Sequence, residues 1–140
     1  MTDERITAVN LYNGFNLATG IKITEWQDGL GVVTLTPAAE HTNPAGVVHG
    51  GTMMGMLDVA LALTGSYEEP PLSLMPGLTL SLNTQFLNFA TIEGGVLVAR
   101  ATKTGGGKNI FFSEGEITDS TGKKIATASG VFKRGRQPAP

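Results

Sequence analysis

The chain has 140 residues, 41% of them hydrophobic, and a formal net charge of -2. That length supports one domain with a sizeable core, and the faintly acidic balance argues against nucleic acid as the main partner. Zero cysteines exclude disulfides, thiolate metal sites and a cysteine nucleophile.

The start, Met1-Thr2-Asp3-Glu4-Arg5, lacks the basic-then-apolar pattern of a signal peptide. No apolar run reaches the ~18 residues of a membrane span, so the expectation is a soluble, cytoplasmic protein. Arg5 to Leu17 carries apolar residues at Ile6, Val9, Leu11, Phe15 and Leu17, a pattern compatible with a short amphipathic helix that Asn13-Gly14 weakens. Ile21 to Trp26 alternates and predicts a strand; Asp28-Gly29 predicts a hairpin turn into a second strand, Leu30 to Thr36, stopped by Pro37. Thr52 to Thr64 is apolar on nearly every side and predicts a helix buried in the core. A Pro-rich loop from Glu68 to Gly77 leads to four strand-like runs: Leu78 to Phe89, Val96 to Thr104, Asn109 to Thr118 and Lys124 to Phe132. The turns between them are short, which implies antiparallel neighbours, because parallel strands need long crossovers. The expected fold is α+β, one long antiparallel sheet around a central apolar helix. It forms a single domain over residues 1–140, with a helical segment at 1–20 and a frayed polar tail at 134–140. One sheet layer around one helix leaves edges open, so pairing with a second copy is expected.

The chemistry concentrates between Asn43 and Ser66. Pro44 and Gly46 make the first part a loop, His49-Gly50-Gly51 precedes the helix, and one carboxylate, Asp58, sits in its apolar middle. An ionised carboxylate there is costly unless paired, hydrogen-bonded or close to water. The helix start offers free N–H groups and a positive dipole end, a natural holder for a developing oxyanion, while Asp58 can serve as base or nucleophile. A rise of about 1.5 Å per residue sets Gly50 and Asp58 roughly 12 Å apart along the axis. If both act on one reacting centre, they come from two subunits of a dimer with composite sites.

The composite pattern Asn43-x-x-Gly46-x-x-His49-Gly50-Gly51-x₆-Asp58 resembles the signature of hotdog-fold acyl-CoA thioesterases of the phenylacetate-pathway (PaaI-like) type. The resemblance covers about Ile21 to Arg134 and implies a hotdog fold hydrolysing an acyl- or aryl-CoA to the free acid and coenzyme A. By that resemblance Gly50 matches the glycine whose N–H polarises the thioester carbonyl, and Asn43 matches the asparagine that assists it. Asp58 matches the partner-subunit carboxylate that activates water or attacks directly. Thr79 falls where relatives carry a Ser or Thr that positions the water or carboxylate, and His49 matches a loop-bracing histidine. Gly106, Gly107, Lys108 and Asn109 lie where relatives approach the nucleotide end of coenzyme A; Gly51 and Met54 are the remaining substrate-contact candidates. The resemblance implies no cofactor and no metal, with the coenzyme A thioester as substrate and a homodimer, or a dimer of dimers, as the assembly.

Each residue has a plainer reading. Asp58 can be a structural carboxylate held by hydroxyls, Asn43 a turn former ahead of Pro44, Thr79 an ordinary strand threonine, and the 105–107 glycines a hairpin tip. Met53, Met54 and Met56 can be core rather than pocket lining, and His41 is expected on the solvent side. Two histidines without cysteine make a poor zinc site, and no Gly-x-Ser-x-Gly elbow occurs. Within the same fold an enoyl-CoA hydratase would want an Asp near His49, and none stands between Pro37 and His49. A hotdog protein that binds acyl-CoA without turnover is the non-enzymatic alternative.

Overall fold

A computed structural model of the chain describes residues 4–67 and 77–134; the Pro-rich loop and the remainder of the tail lie outside the described residues. In chain order the elements are α1 (Glu4–Leu11), α2 (Phe15–Thr19), β1 (Lys22–Gln27), β2 (Leu30–Leu35), a single 3-10 turn (Ala39–His41), α3 (Gly50–Leu63), β3 (Leu78–Phe86), β4 (Leu97–Gly106), β5 (Ile110–Thr118) and β6 (Lys124–Lys133). The expected N-terminal helix is thus two short ones. Asn13-Gly14 breaks it, and no residue of either piece is buried.

The strands form one sheet in the order β1-β2-β4-β5-β6-β3, with every pair antiparallel. This is the α+β arrangement that the alternating runs and short turns predict. The apolar set on one face of the sheet packs against α3 through Met53, Met56, Leu57, Ala60 and Leu61. Ile23, Val33, Leu35, Leu97, Ala99, Phe111, Ile117, Ile125 and Phe132 complete that core from the sheet side. The helix approaches β2 so closely that a Cβ on Gly31 would collide with the Ala60 carbonyl oxygen. A hydrogen bond from Ser113 Oγ to the Leu61 carbonyl (3.1 Å) and one from Trp26 Nε1 to the Leu63 carbonyl (2.9 Å) fix the helix to β5 and β1.

The helix is less enclosed than its sequence predicts. Gly51 is exposed and Met54, Gly55, Asp58 and Val59 are half-buried. The physical reason is the single sheet layer: among the described residues only α1 and α2 cover the far side of α3, and there the Phe15 ring rests on Gly55. The strand ends shift by a few residues from the sequence reading, most at β3, which stops at Phe86. Arg134, assigned to the tail, is instead pinned: its Nη1 donates to the Gly65 carbonyl and its guanidinium lies over the Phe111 ring.

One irregularity decides where a side chain points. Along β3, Asn83 and Gln85 face away from the helix, opposite Ser129 and Thr127 of β6. Strict alternation would put Thr79 on that same outer face. Between Thr79 and Ser81 the register slips, so that Ser81 pairs with Val131 and Thr79 with the buried Phe132. The bulge at Leu80 turns Thr79 to the helix side, as such insertions do.

Candidate functional site

The loop before α3 is tied by its own asparagine. Asn43 Oδ1 accepts from the N–H groups of Ala45 (3.0 Å) and Val47 (3.4 Å), its N–H donates to the Val47 carbonyl (2.9 Å), and Gly46 takes the left-handed φ of 82°. Its oxygen is therefore committed to the turn, and its amide nitrogen is the group left for anything else.

His49 caps the helix. Its Nδ1 accepts from the Gly51 N–H (2.8 Å), and its carbonyl takes the N–H groups of Thr52 (3.0 Å) and Met53 (3.3 Å). Of the N–H groups that a helix start leaves open, those of Gly51, Thr52 and Met53 are thus used. The N–H of Gly50 has no hydrogen-bond partner among the described residues. The ring of Phe86 stands over this position, 3.3 Å from where a Gly50 Cβ would be. Phe86 is a residue that the sequence reading did not single out; its place on the helix side of β3, in step with Leu82 and Thr84, is the signal that would have found it.

In the middle of α3, Asp58 Oδ1 accepts a 2.5 Å hydrogen bond from Thr79 Oγ1. Helix and bulge thus meet at one carboxylate–hydroxyl pair. Beside it lies a cavity of about 150 Å³, lined by Asp58, Val59, Ala62 and Leu63 of α3, Ile23 and Trp26 of β1, Gly77, and Val9 and Asn16 from the two N-terminal helices. It is apolar apart from Asp58 and the Asn16 amide. A wider hollow of about 580 Å³ lies on the outer sheet face between Arg100, Glu114 and Glu116 and touches none of the candidate residues.

The structure gathers some candidates and separates others. Asn43, His49, Gly50 and Gly51 form one cluster; Asp58 and Thr79 form a second, eight helix residues away, roughly 12 Å along the axis. Met54 is half-buried and outside the cavity lining, while Met53 and Met56 are core. Gly106, Gly107, Lys108 and Asn109 form the β4–β5 hairpin tip, which is tied to β6 by the Arg134 N–H to the Asn109 carbonyl (2.8 Å). His41, expected on the solvent side, is buried. Among the described residues no group of three or more His, Asp or Glu is placed to hold a metal ion, and no helix is long and apolar enough to cross a membrane.

Residues 45–126 match the family model of the thioesterase superfamily. The chain belongs to that superfamily. A relative from Archaeoglobus fulgidus, named "Putative esterase", is 30% identical over 120 residues, covering 85% of this chain and 73% of that one. Among solved structures, a point mutant of the phenylacetic acid degradation protein PaaI from Thermus thermophilus superposes with a TM-score of 0.74 at 25% identity, covering 86% of this chain and 97% of that one. Escherichia coli PaaI gives a TM-score of 0.79 at 24% identity over 94% and 91%, a likeness of fold. The sheet around one helix is therefore the hotdog fold of these thioesterase-superfamily neighbours, and membership places the chain among hydrolases of the thioesterase and esterase kind.

Proposed function

We propose that the chain hydrolyses an acyl- or aryl-CoA thioester to the free acid and coenzyme A. One observation carries this reading: α3 presents an unpartnered N–H at its start and, in its middle, a hydroxyl-bound carboxylate that opens on an apolar cavity. The Gly50 N–H, at the positive end of the helix dipole, receives the carbonyl oxygen as negative charge develops on it. The Asn43 amide nitrogen adds a second donor, and His49 braces the loop by holding the Gly51 N–H. Asp58 takes the proton of the attacking water, or attacks the carbonyl itself and is released by water; Thr79 fixes the carboxylate oxygen in either case. The carbon–sulfur bond breaks and the thiolate leaves to take up a proton. In this scheme neither a metal nor a cofactor takes part.

The cavity beside Asp58 receives the acyl or aryl group. Its volume, near that of an engineered cavity known to bind benzene, favours a compact group over a long chain. Coenzyme A is assigned to Gly51 and Met54 at the start of α3 and to the 106–109 hairpin tip with Lys108, which lies by the end of α3 and so meets the same ligand from the second copy. The two clusters on one helix work together when a second copy completes each site. The free edge of β3, with Leu78, Leu80 and Phe86 each about half exposed, offers the pairing surface for that homodimer, from which a dimer of dimers can be built.

The test is thiol release from a panel of acyl- and aryl-CoA esters, with Asp58→Asn beside wild type. The substitution keeps the side-chain shape and removes the charge. A fall of about 10²-fold or more in kcat at similar KM places Asp58 in the transition state. Wild type that binds the esters and releases no thiol from any of them overturns the reading in favour of a binding protein.

A further inference from the structure

Arg134, the first residue after β6, stands where three segments cross. Its Nη1 donates to the Gly65 carbonyl, just past the end of α3, and its Nη2 donates to the Gly107 carbonyl of the β4–β5 hairpin tip at 3.3 Å. Its backbone N–H donates to the Asn109 carbonyl at 2.8 Å, and its guanidinium carbon lies 5.3 Å from the centre of the Phe111 ring. Among the described residues no carboxylate pairs with it, nor with the amine of Lys108, which sits between the two tip carbonyls. Two cations therefore stand uncompensated at one turn of a chain whose formal net charge is -2. Gly105, Gly106 and Gly107 have no side chains to brace that turn and a permissive backbone. Beyond the strand pairing and the bond from the Gly107 N–H to the Ile110 carbonyl (2.7 Å), Arg134 supplies two ties from outside the hairpin.

We infer that Arg134 is a positioning residue: it locks the hairpin tip to the end of α3, so that the tip and Lys108 meet the phosphate-bearing end of a coenzyme A thioester at a fixed distance from Asp58. The inference rests on the proposed acyl-CoA hydrolysis and on the assignment of the tip to coenzyme A. It concerns groups of one chain. Gly65 stands seven residues beyond Asp58, roughly 10 Å along the helix. The carboxylate, its cavity and the clamped tip are thus carried by one helix of one subunit, whichever copy supplies the Gly50 N–H. A thioester whose acyl group fills the cavity leads its thiol carrier out of it, and the tip at the helix end catches the far, anionic end. The plainer alternative is packing, since a cation at a helix C-terminus is favourable and this one covers the Phe111 ring. Two variants separate the readings. Lysine keeps the charge and loses the planar fork that reaches two carbonyls at once. Methionine keeps an apolar stem over Phe111 and loses both charge and donors.

Thiol release is measured for wild type, Arg134→Lys and Arg134→Met with benzoyl-CoA and with the N-acetylcysteamine thioester of benzoate, which carries the same acyl group and no nucleotide. Amide hydrogen exchange is followed over residues 106–109. In both variants the KM for benzoyl-CoA rises about tenfold, on the scale of one charge-assisted hydrogen bond, while kcat stays within about twofold. Kinetics on the short thioester stay at the wild-type level, and residues 106–109 exchange faster. Wild-type kinetics in Arg134→Lys overturn the inference, because charge alone then suffices. Equal losses on the two esters also overturn it, being the mark of simple fold support, and so does unchanged exchange. A wild type that handles the two esters alike makes no use of the nucleotide end and overturns the inference with hydrolysis intact. A wild type inert on both esters overturns the proposed function itself, which is a different result from an active wild type with unaltered variants.

Discussion

Thr79 carries its proposed role through one oxygen. Its hydroxyl, 2.5 Å from Asp58 Oδ1, is the hydrogen bond that the carboxylate receives among the described residues. A hydroxyl donating to a carboxylate fixes its orientation. Thr79→Ser keeps that donor, whereas Thr79→Val keeps the shape and loses it. We expect Thr79→Val to lower kcat for thioester hydrolysis about tenfold or more, on the scale of one charge-assisted hydrogen bond, and Thr79→Ser to retain most of it. Equal rates in the two variants would remove the hydroxyl from the mechanism. The type of residue at position 79 was legible in the sequence; its direction was not. The slip at Leu80 is a matter of pairing with β6, some fifty residues away in the chain, and no local pattern marks it.

At the scale of elements, the turn joining β5 to β6 depends on one carboxylate. Asp119 Oδ1 accepts from Thr121 Oγ1 (2.6 Å) and from the N–H groups of Thr121 (2.9 Å) and Lys123 (3.1 Å). The Thr121 hydroxyl above all, with the Lys123 and Thr121 N–H groups and the Lys123 charge, holds its pKa below the ordinary value against the opposing effect of burial. A depressed folded-state pKa means that this contribution to stability is complete above the unfolded value, about 3.9, and is lost as pH falls through the folded value. Thermal unfolding of wild type and Asp119→Asn as a function of pH checks this. The gap in Tm is widest well above the unfolded value and narrows as pH falls below it, when wild type too loses the charge. A gap of the same size at pH 3 as at pH 7 would refute the assignment. The turn itself was readable from Asp-Ser-Thr-Gly. That Asp119 folds back on it became clear only with the strands in place.

For the whole molecule, the consequence lies in the distance along α3. With Gly50 and Asp58 fixed on one rigid helix, a single chain holds the donor and the carboxylate apart, and a homodimer with composite sites brings them together in the proposed scheme. Such sites can be rebuilt from two inactive chains. Gly50→Val places a branched side chain against the Phe86 ring and blocks the N–H, and Asp58→Asn removes the base. If the variants are unfolded together, mixed in equal amounts and refolded, about a quarter of the wild-type sites are intact, because half the dimers are mixed and each has one complete site. Thiol release recovering towards that level, against near zero for either variant alone, is the expected outcome. No recovery, with mixed dimers demonstrated by mass, would place the whole site in one chain.

The amino-acid order alone determined the alternation that makes six antiparallel strands, the apolar helix between the second and third, and the glycine-rich entry to that helix with a carboxylate eight residues on. These are consequences of local periodicity and backbone freedom, which neighbouring residues settle among themselves. Tertiary structure decided the rest. It left one side of α3 half open, because burial depends on what covers a surface and only α1 and α2, among the described residues, were there to do it. It turned Thr79 inward through a bulge and set Val9, Asn16 and Trp26 around a cavity that no single segment outlines. It also buried His41, whose ring bonds a carbonyl twenty-two residues earlier in the chain. Each of these depends on contacts between segments far apart in the chain, and such contacts exist only once the sheet has assembled.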